Sequence, residues 1–88
     1  MLQKIWVGKE CAAVMHDEDN PGSFLAVPCC IVSIKIRASH HRCIAEVQGG
    51  CFISVYDYDL YQTVTGAERE AKRRTRYAAQ VKEGEGKA

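Results

Sequence analysis

Apolar and polar residues alternate along Cys30–Ala38, with Val32, Ile34, Ile36 and Ala38 on one side and Ser33, Lys35 and Arg37 on the other. That period of two is the signature of a half-buried strand. Two more extended runs follow, Arg42–Gln48 and Cys51–Tyr58, separated by Gly49-Gly50, a two-residue hairpin signal. Counting outward from the glycines sets Val47 opposite Phe52, Ala45 opposite Ser54 and Cys43 opposite Tyr56. A turn at His40-His41 sets Ala38 opposite Cys43, Ile36 opposite Ala45 and Ile34 opposite Val47. Histidine is not favoured in a tight primed turn, so a loop of about three or four residues is the alternative there. Both turns give the same inward face, and a slip of one residue would invert it. The outward face then pairs Lys35 with Glu46 and Arg42 with Asp57. It also carries Ile44, Ile53 and Val55, covered by the N-terminal segment with Trp6 or exposed as a protein-binding patch.

Upstream, Leu2–Val7 reads as a strand, Gly8-Lys9 as a hairpin loop and Glu10–His16 as the returning strand, with a short helix competing at Ala12-Ala13. Asp17–Ser23 is a turn punctuated by Pro21 and Gly22, and Phe24–Val27 is extended ahead of Pro28. Downstream, Thr65-Gly66-Ala67-Glu68 has the form of a capping box. It opens a helix over 65–82 that lines up Ala67, Ala71, Thr75, Ala78 and Val81 on one stripe. The expected core sets Val32, Ile34, Ile36, Val47 and Phe52 against Ala71 and Ala78. The fold class is therefore α+β: an antiparallel sheet of about four or five strands, with a β-meander over 30–58 and the helix 65–82 packed on one face. A small open β-barrel plus helix is the alternative. Residues 1–82 make one α+β domain, and 83–88 read as a polar flexible tail.

Composition narrows the function classes. In 88 residues there is room for one modest core. Twelve Lys+Arg against eleven Asp+Glu leave a net charge of +1, so overall charge does not drive the chain onto nucleic acid or membrane. The charge is segregated, however: Asp17, Glu18 and Asp19 are acidic, and Arg69, Lys72, Arg73, Arg74 and Arg76 load the helix. Met1–Val7 is interrupted by Lys4 and does not read as a leader, and no apolar run approaches a membrane span. The five cysteines, Cys11, Cys29, Cys30, Cys43 and Cys51, are an odd number. They read as reduced, mostly packed thiols of a cytoplasmic protein.

No catalytic residues, metal ligands or cofactor are assigned. His40-x-x-Cys43 with His41 lacks the paired ligands of a zinc site. A Cys43–His41–Asp57 constellation is easy to assemble by chance on a small hairpin. Two surfaces concentrate more than folding requires. Tyr56, Asp57, Tyr58 and Asp59 put aromatics and acids at the exit of the last strand. Arg69, Lys72, Arg73 and Arg76 form one basic helix face, read as free of intervening acids. The expectation is a non-enzymatic interaction protein that binds a larger protein, as a small inhibitor or adaptor, with a homodimer through a strand edge or the outer face as a variant. By size and style alone it is comparable to accessory proteins of mobile elements. The alternative is an RNA- or DNA-binding module using the basic helix.

Overall fold

The computed structural model describes residues 4–86, with side chains as far as 81. Five antiparallel strands, β1 (Glu10–His16), β2 (Phe24–Ile36), β3 (His41–Val47), β4 (Cys51–Tyr56) and β5 (Leu60–Tyr61), form one open sheet in the order β4-β3-β2-β1-β5. A 3-10 turn, Asp57–Asp59, joins β4 to β5, and helix α1 runs from Val64 to Gly86.

The short link between β4 and β5 fixes the shape of the sheet. These are the two edge strands, and four strand spacings of about 4.8 Å would set them roughly 19 Å apart in a flat sheet. Four Cα steps from Tyr56 to Leu60 reach at most about 15 Å, less through a 3-10 turn. The sheet must therefore curl, bringing its edges together at this end without hydrogen-bonding them into a barrel. The concave face holds the larger core: Cys11, Ala13, Cys29, Ile31, Cys43, Ala45, Val55 and Leu60, with Ile5, Met15, Ile34, Val47 and Ile53 packed around them. Curling narrows that side, which suits Ala and Cys at its centre.

The helix lies on the opposite, convex face. Ala67 and Ala71 pack on Ala12 and Val14, with Phe24, Ala26 and Tyr61 at the rim. β1 is thus buried on both sides, Cys11 and Ala13 toward one core and Ala12 and Val14 toward the other. A continuous apolar run is what such a central strand requires, and the competing helix at Ala12-Ala13 does not form. Thr75 joins the contact by accepting the Phe24 N–H at 2.9 Å while donating to the Ala71 carbonyl. Beyond that point Ala78 is half-buried and Val81 exposed.

Several expected details are corrected. Leu2–Val7 was expected as a strand, but both edges of β1 are taken by β2 and β5. Lys4–Trp6 has no regular structure and the chain turns at Gly8 (φ +92°), while Leu2 and Gln3 lie outside the described residues. The first meander loop is Arg37–His40, four residues closed by Arg37 N–H donating to the His40 carbonyl. The second has three residues, Gln48–Gly50, with Gly49 and Gly50 both at positive φ, so Val47 pairs with Cys51. That shift of one residue turns Ile53 and Val55 into the core and Phe52 out to 61% exposure.

In β2 the register changes between Ile31 and Ser33, leaving Val32 as the extra residue of a bulge. Ile31 and Ile34 face the core, while Val32 and Ile36 are exposed. The expected core of Val32, Ile34, Ile36, Val47 and Phe52 therefore keeps only Ile34 and Val47, and it packs away from the helix. Lys35 stands opposite Arg42 and Glu46 opposite Cys30, so neither expected charge pair forms across the ladder. Thr63, not Thr65, caps the helix, its hydroxyl accepting the Gly66 N–H at 3.0 Å. Gly66 suits that position because a Cβ there would meet the Thr63 hydroxyl at 3.2 Å. The helix continues through 83–86, where a tail was expected, and 87–88 lie outside the described residues.

Candidate interaction surfaces

Tyr56 ends β4, and Asp57, Tyr58 and Asp59 form the 3-10 turn behind it. The Tyr56 and Tyr58 rings stack with centroids 5.1 Å apart, His40 meets Tyr56 edge-on at 4.9 Å, and the Arg42 guanidinium lies 5.8 Å from the Tyr56 ring. The two acids have internal duties. Asp57 Oδ2 accepts the His41 backbone N–H at 3.2 Å and lies 3.3 Å from its Nδ1. Asp59 accepts from Arg74 Nη1 at 2.8 Å. The aromatics of the expected edge are thus its accessible part, with Tyr58 45% exposed.

The basic helix face is less charged than its sequence implies. Glu70 accepts from Arg73 and, at 3.1 Å, from Arg74 Nε. The Arg73 hydrogen bond, opposed in part by desolvation and reinforced by Arg74, holds the Glu70 carboxyl down at about 2. The expectation of a face without acids is corrected: Arg73 is neutralised, while Arg69, Lys72 and Arg76 are exposed and make no ion pair among the described residues. The structure joins the tyrosine corner to the helix through Asp59 and Arg74, not through Arg69, Lys72, Arg73 or Arg76, the face chosen from the sequence.

The surface also carries hollows among the described residues, two of which are lined by notable side chains. One, of about 680 Å³, is lined by Cys11, Cys29, Cys30, Glu10, Glu46 and Gln62, among others. Cys11 and Cys29 face each other across β1 and β2 with sulfurs 3.7 Å apart. Their shared hydrogen bond lowers the Cys11 pKa and, with burial, raises that of Cys29. The other, of about 470 Å³, crosses the convex face between Ser33, Lys35 and Arg37 on one side and Arg42, Ile44 and Ser54 on the other. Sequence reasoning missed this basic groove because it gave Lys35 and Arg42 acidic partners. The available signal was the run from Lys35 to Arg42, with three cations, two histidines and no acid.

A nucleophilic thiol at Cys43, beside His41 and Asp57, meets an electrostatic obstacle. Burial, then the Asp57 charge, push the Cys43 thiol up, opposite to the shift that makes a nucleophile. Among the described residues no three His, Cys, Asp or Glu side chains converge as a metal site, and no helix is long and apolar enough to cross a membrane. Comparisons with protein-family models, characterised proteins and solved structures found no match.

Proposed function

We propose that this chain is a non-enzymatic interaction protein that docks on a larger protein, as a small inhibitor or adaptor, through the open edge of β4 and the tyrosine corner at its end. One observation carries this reading: among the described residues β4, Cys-Phe-Ile-Ser-Val-Tyr, is paired only with β3, and it carries no charge, no proline and no bulge. Natural edge strands are normally protected by such devices, because free N–H and C=O groups recruit another strand. A partner segment adding to that edge would gain main-chain hydrogen bonds. Tyr56 and Tyr58 would supply contact area beside it. A cytoplasmic setting fits five free thiols. A second copy of this chain, giving a homodimer, is the competing occupant of the same edge.

A partner captured from the host and identified by mass spectrometry tests the reading when its affinity is measured against variants. Cys51→Lys places a gatekeeping charge at the exposed start of β4, and Tyr58→Ala removes an exposed ring. Both should weaken binding, Tyr58→Ala by about 2 kcal/mol if the ring is an anchor. Unchanged affinity in both would refute the surface. Concentration-dependent dimerisation lost in Cys51→Lys would assign the edge to a second copy. The second reading, RNA or DNA on the helix, is favoured by Arg69, Lys72 and Arg76 recurring at helical spacing, with no ion pair to any of them among the described residues.

A further inference from the structure

Lys35 and Arg42 are directly opposite each other on β2 and β3, an arrangement that destabilises a sheet because like charges face across the ladder. No carboxylate pairs with either among the described residues. Arg42 is also held in place: its Nε donates to Ser54 Oγ at 2.8 Å, which leaves the two Nη groups free. With Arg37 at the end of β2, these cations line the convex groove. Folding alone would favour an acid at one of these positions.

Aromatic rings share the face. Side chains at alternate positions of a strand point the same way, so Phe52, Ser54 and Tyr56 of β4 stand with Arg42 and Ile44 of β3, Tyr56 across from Arg42 and Phe52 across from Glu46. Phe52 is 61% exposed, and Tyr56 is extended by the stacked Tyr58. The two aromatic positions are four residues apart, about 13 Å along the strand, with the basic groove beside them. The acid on this part of the face, Glu46, lies at the Phe52 end.

We infer that the convex face of β2–β4 binds a single strand of nucleic acid, its phosphates on Lys35, Arg37 and Arg42 and its bases against Phe52 and the Tyr56–Tyr58 pair. Charge complementarity selects a polyanion. Interleaved aromatic rings select one whose bases are unstacked, since duplex bases offer no face to a side chain. The site shares the Tyr56–Tyr58 pair with the protein-docking surface, but Lys35, Arg42 and Phe52 belong to neither the backbone edge of β4 nor the helix, so failure at those three would leave the protein-docking reading standing.

The test uses labelled RNA and DNA strands of about ten nucleotides, the matching duplexes, and poly-glutamate as a competitor. Titrations run between about 50 and 200 mM salt. The strand should bind more tightly than the duplex and resist poly-glutamate. Lys35→Gln and Arg42→Gln should each weaken binding and lower the salt slope by about 0.7. Phe52→Ala should weaken it roughly tenfold with the slope unchanged, and Arg69→Gln should change nothing. All these positions are exposed, and a cooperative melting transition confirms that each variant folds. Absence of binding at the lowest salt, equal affinity for duplex, or displacement by poly-glutamate would each overturn the inference. So would a loss confined to Arg69→Gln, which would place the strand on the helix.

Discussion

Asp59, in the 3-10 turn, accepts a 2.8 Å hydrogen bond from Nη1 of Arg74 on the third turn of the helix, and both side chains are mostly shielded from water. This pair ties the β4–β5 connection to α1. It lets a short turn at one corner of the sheet position an element packed on the convex face. Asp59→Asn should therefore destabilise the fold by about 1 kcal/mol or more, because a charge-assisted bond is replaced beside a guanidinium left with Glu70 as its one carboxylate among the described residues. A double-mutant cycle with Arg74→Ala in chemical denaturation should return a coupling of the same sign; additive effects would mean that the contact does not hold the helix.

Ala71 is almost fully buried against Ala12 and Val14. Ala71→Leu should overpack this contact and lower stability by about 1–3 kcal/mol. Ala78→Leu, farther along where the helix is half-exposed, should cost much less. Equal denaturation midpoints for the two variants would contradict the helix placement.

Glu70 sets an acid limb on stability. Its carboxyl falls from an ordinary 4.5 to about 2 in the fold, through Arg73 first and Arg74 after it. A folded-state pKa below the unfolded one adds stability that is present above about pH 4.5 and is lost as pH falls toward 2. Arg73 is solvent-exposed, so screening keeps the contribution below about 1 kcal/mol. Urea midpoints measured from pH 6 down to about pH 2 should fall less steeply in Glu70→Gln than in the parent chain.

The thiols should separate by reactivity. Cys51 is exposed and Cys43 is buried with its pKa pushed up. Alkylation of the native protein should therefore modify Cys51 first and Cys43 last, read by mass spectrometry at timed quenches. Under a mild oxidant Cys11 and Cys29, whose sulfurs are 3.7 Å apart, should be the pair that crosslinks, and a peptide map joining any other pair would contradict the register of β1 and β2.

Lys35→Gln removes a like-charge opposition with Arg42 and leaves nothing buried unpaired. It should raise stability by about 0.2–1 kcal/mol. Stability gained together with nucleic-acid affinity lost is the combination that marks a residue kept for binding.

The sequence made the elements readable and left their phases open. The bounds of Glu10–His16 were legible from the turns on either side, although Ala12-Ala13 left a short helix competing there, and Ala67 and Ala71 declared the face that meets the sheet. The core was misread for a local reason in each hairpin. A loop of two glycines and a loop of three residues ending in them differ by one residue, and that difference decides whether Phe52 or Val55 is inside. The bulge at Val32 has no distinctive residue to announce it. Its only trace is that Cys29 and Ile31 share a face with Ile34, a change of parity that a strictly alternating reading smooths over. The basic groove vanished with the same error, since the wrong register supplied acids that the fold places elsewhere.

Val32 has one more consequence. As the surplus member of the bulge, it can be removed on paper without repainting either surface: Ile31 still meets Ala45, Ser33 still meets Ile44, and Lys35 still faces Arg42. What deletion alters is the bend, since a bulge sharpens the local twist of its strand. The chain thus keeps its chemistry and its curvature on separate controls. A one-codon deletion at Val32 would flatten the strand beneath the groove while leaving every charge and ring on its original side, so that shape could drift between related chains while the pattern of side chains stayed fixed.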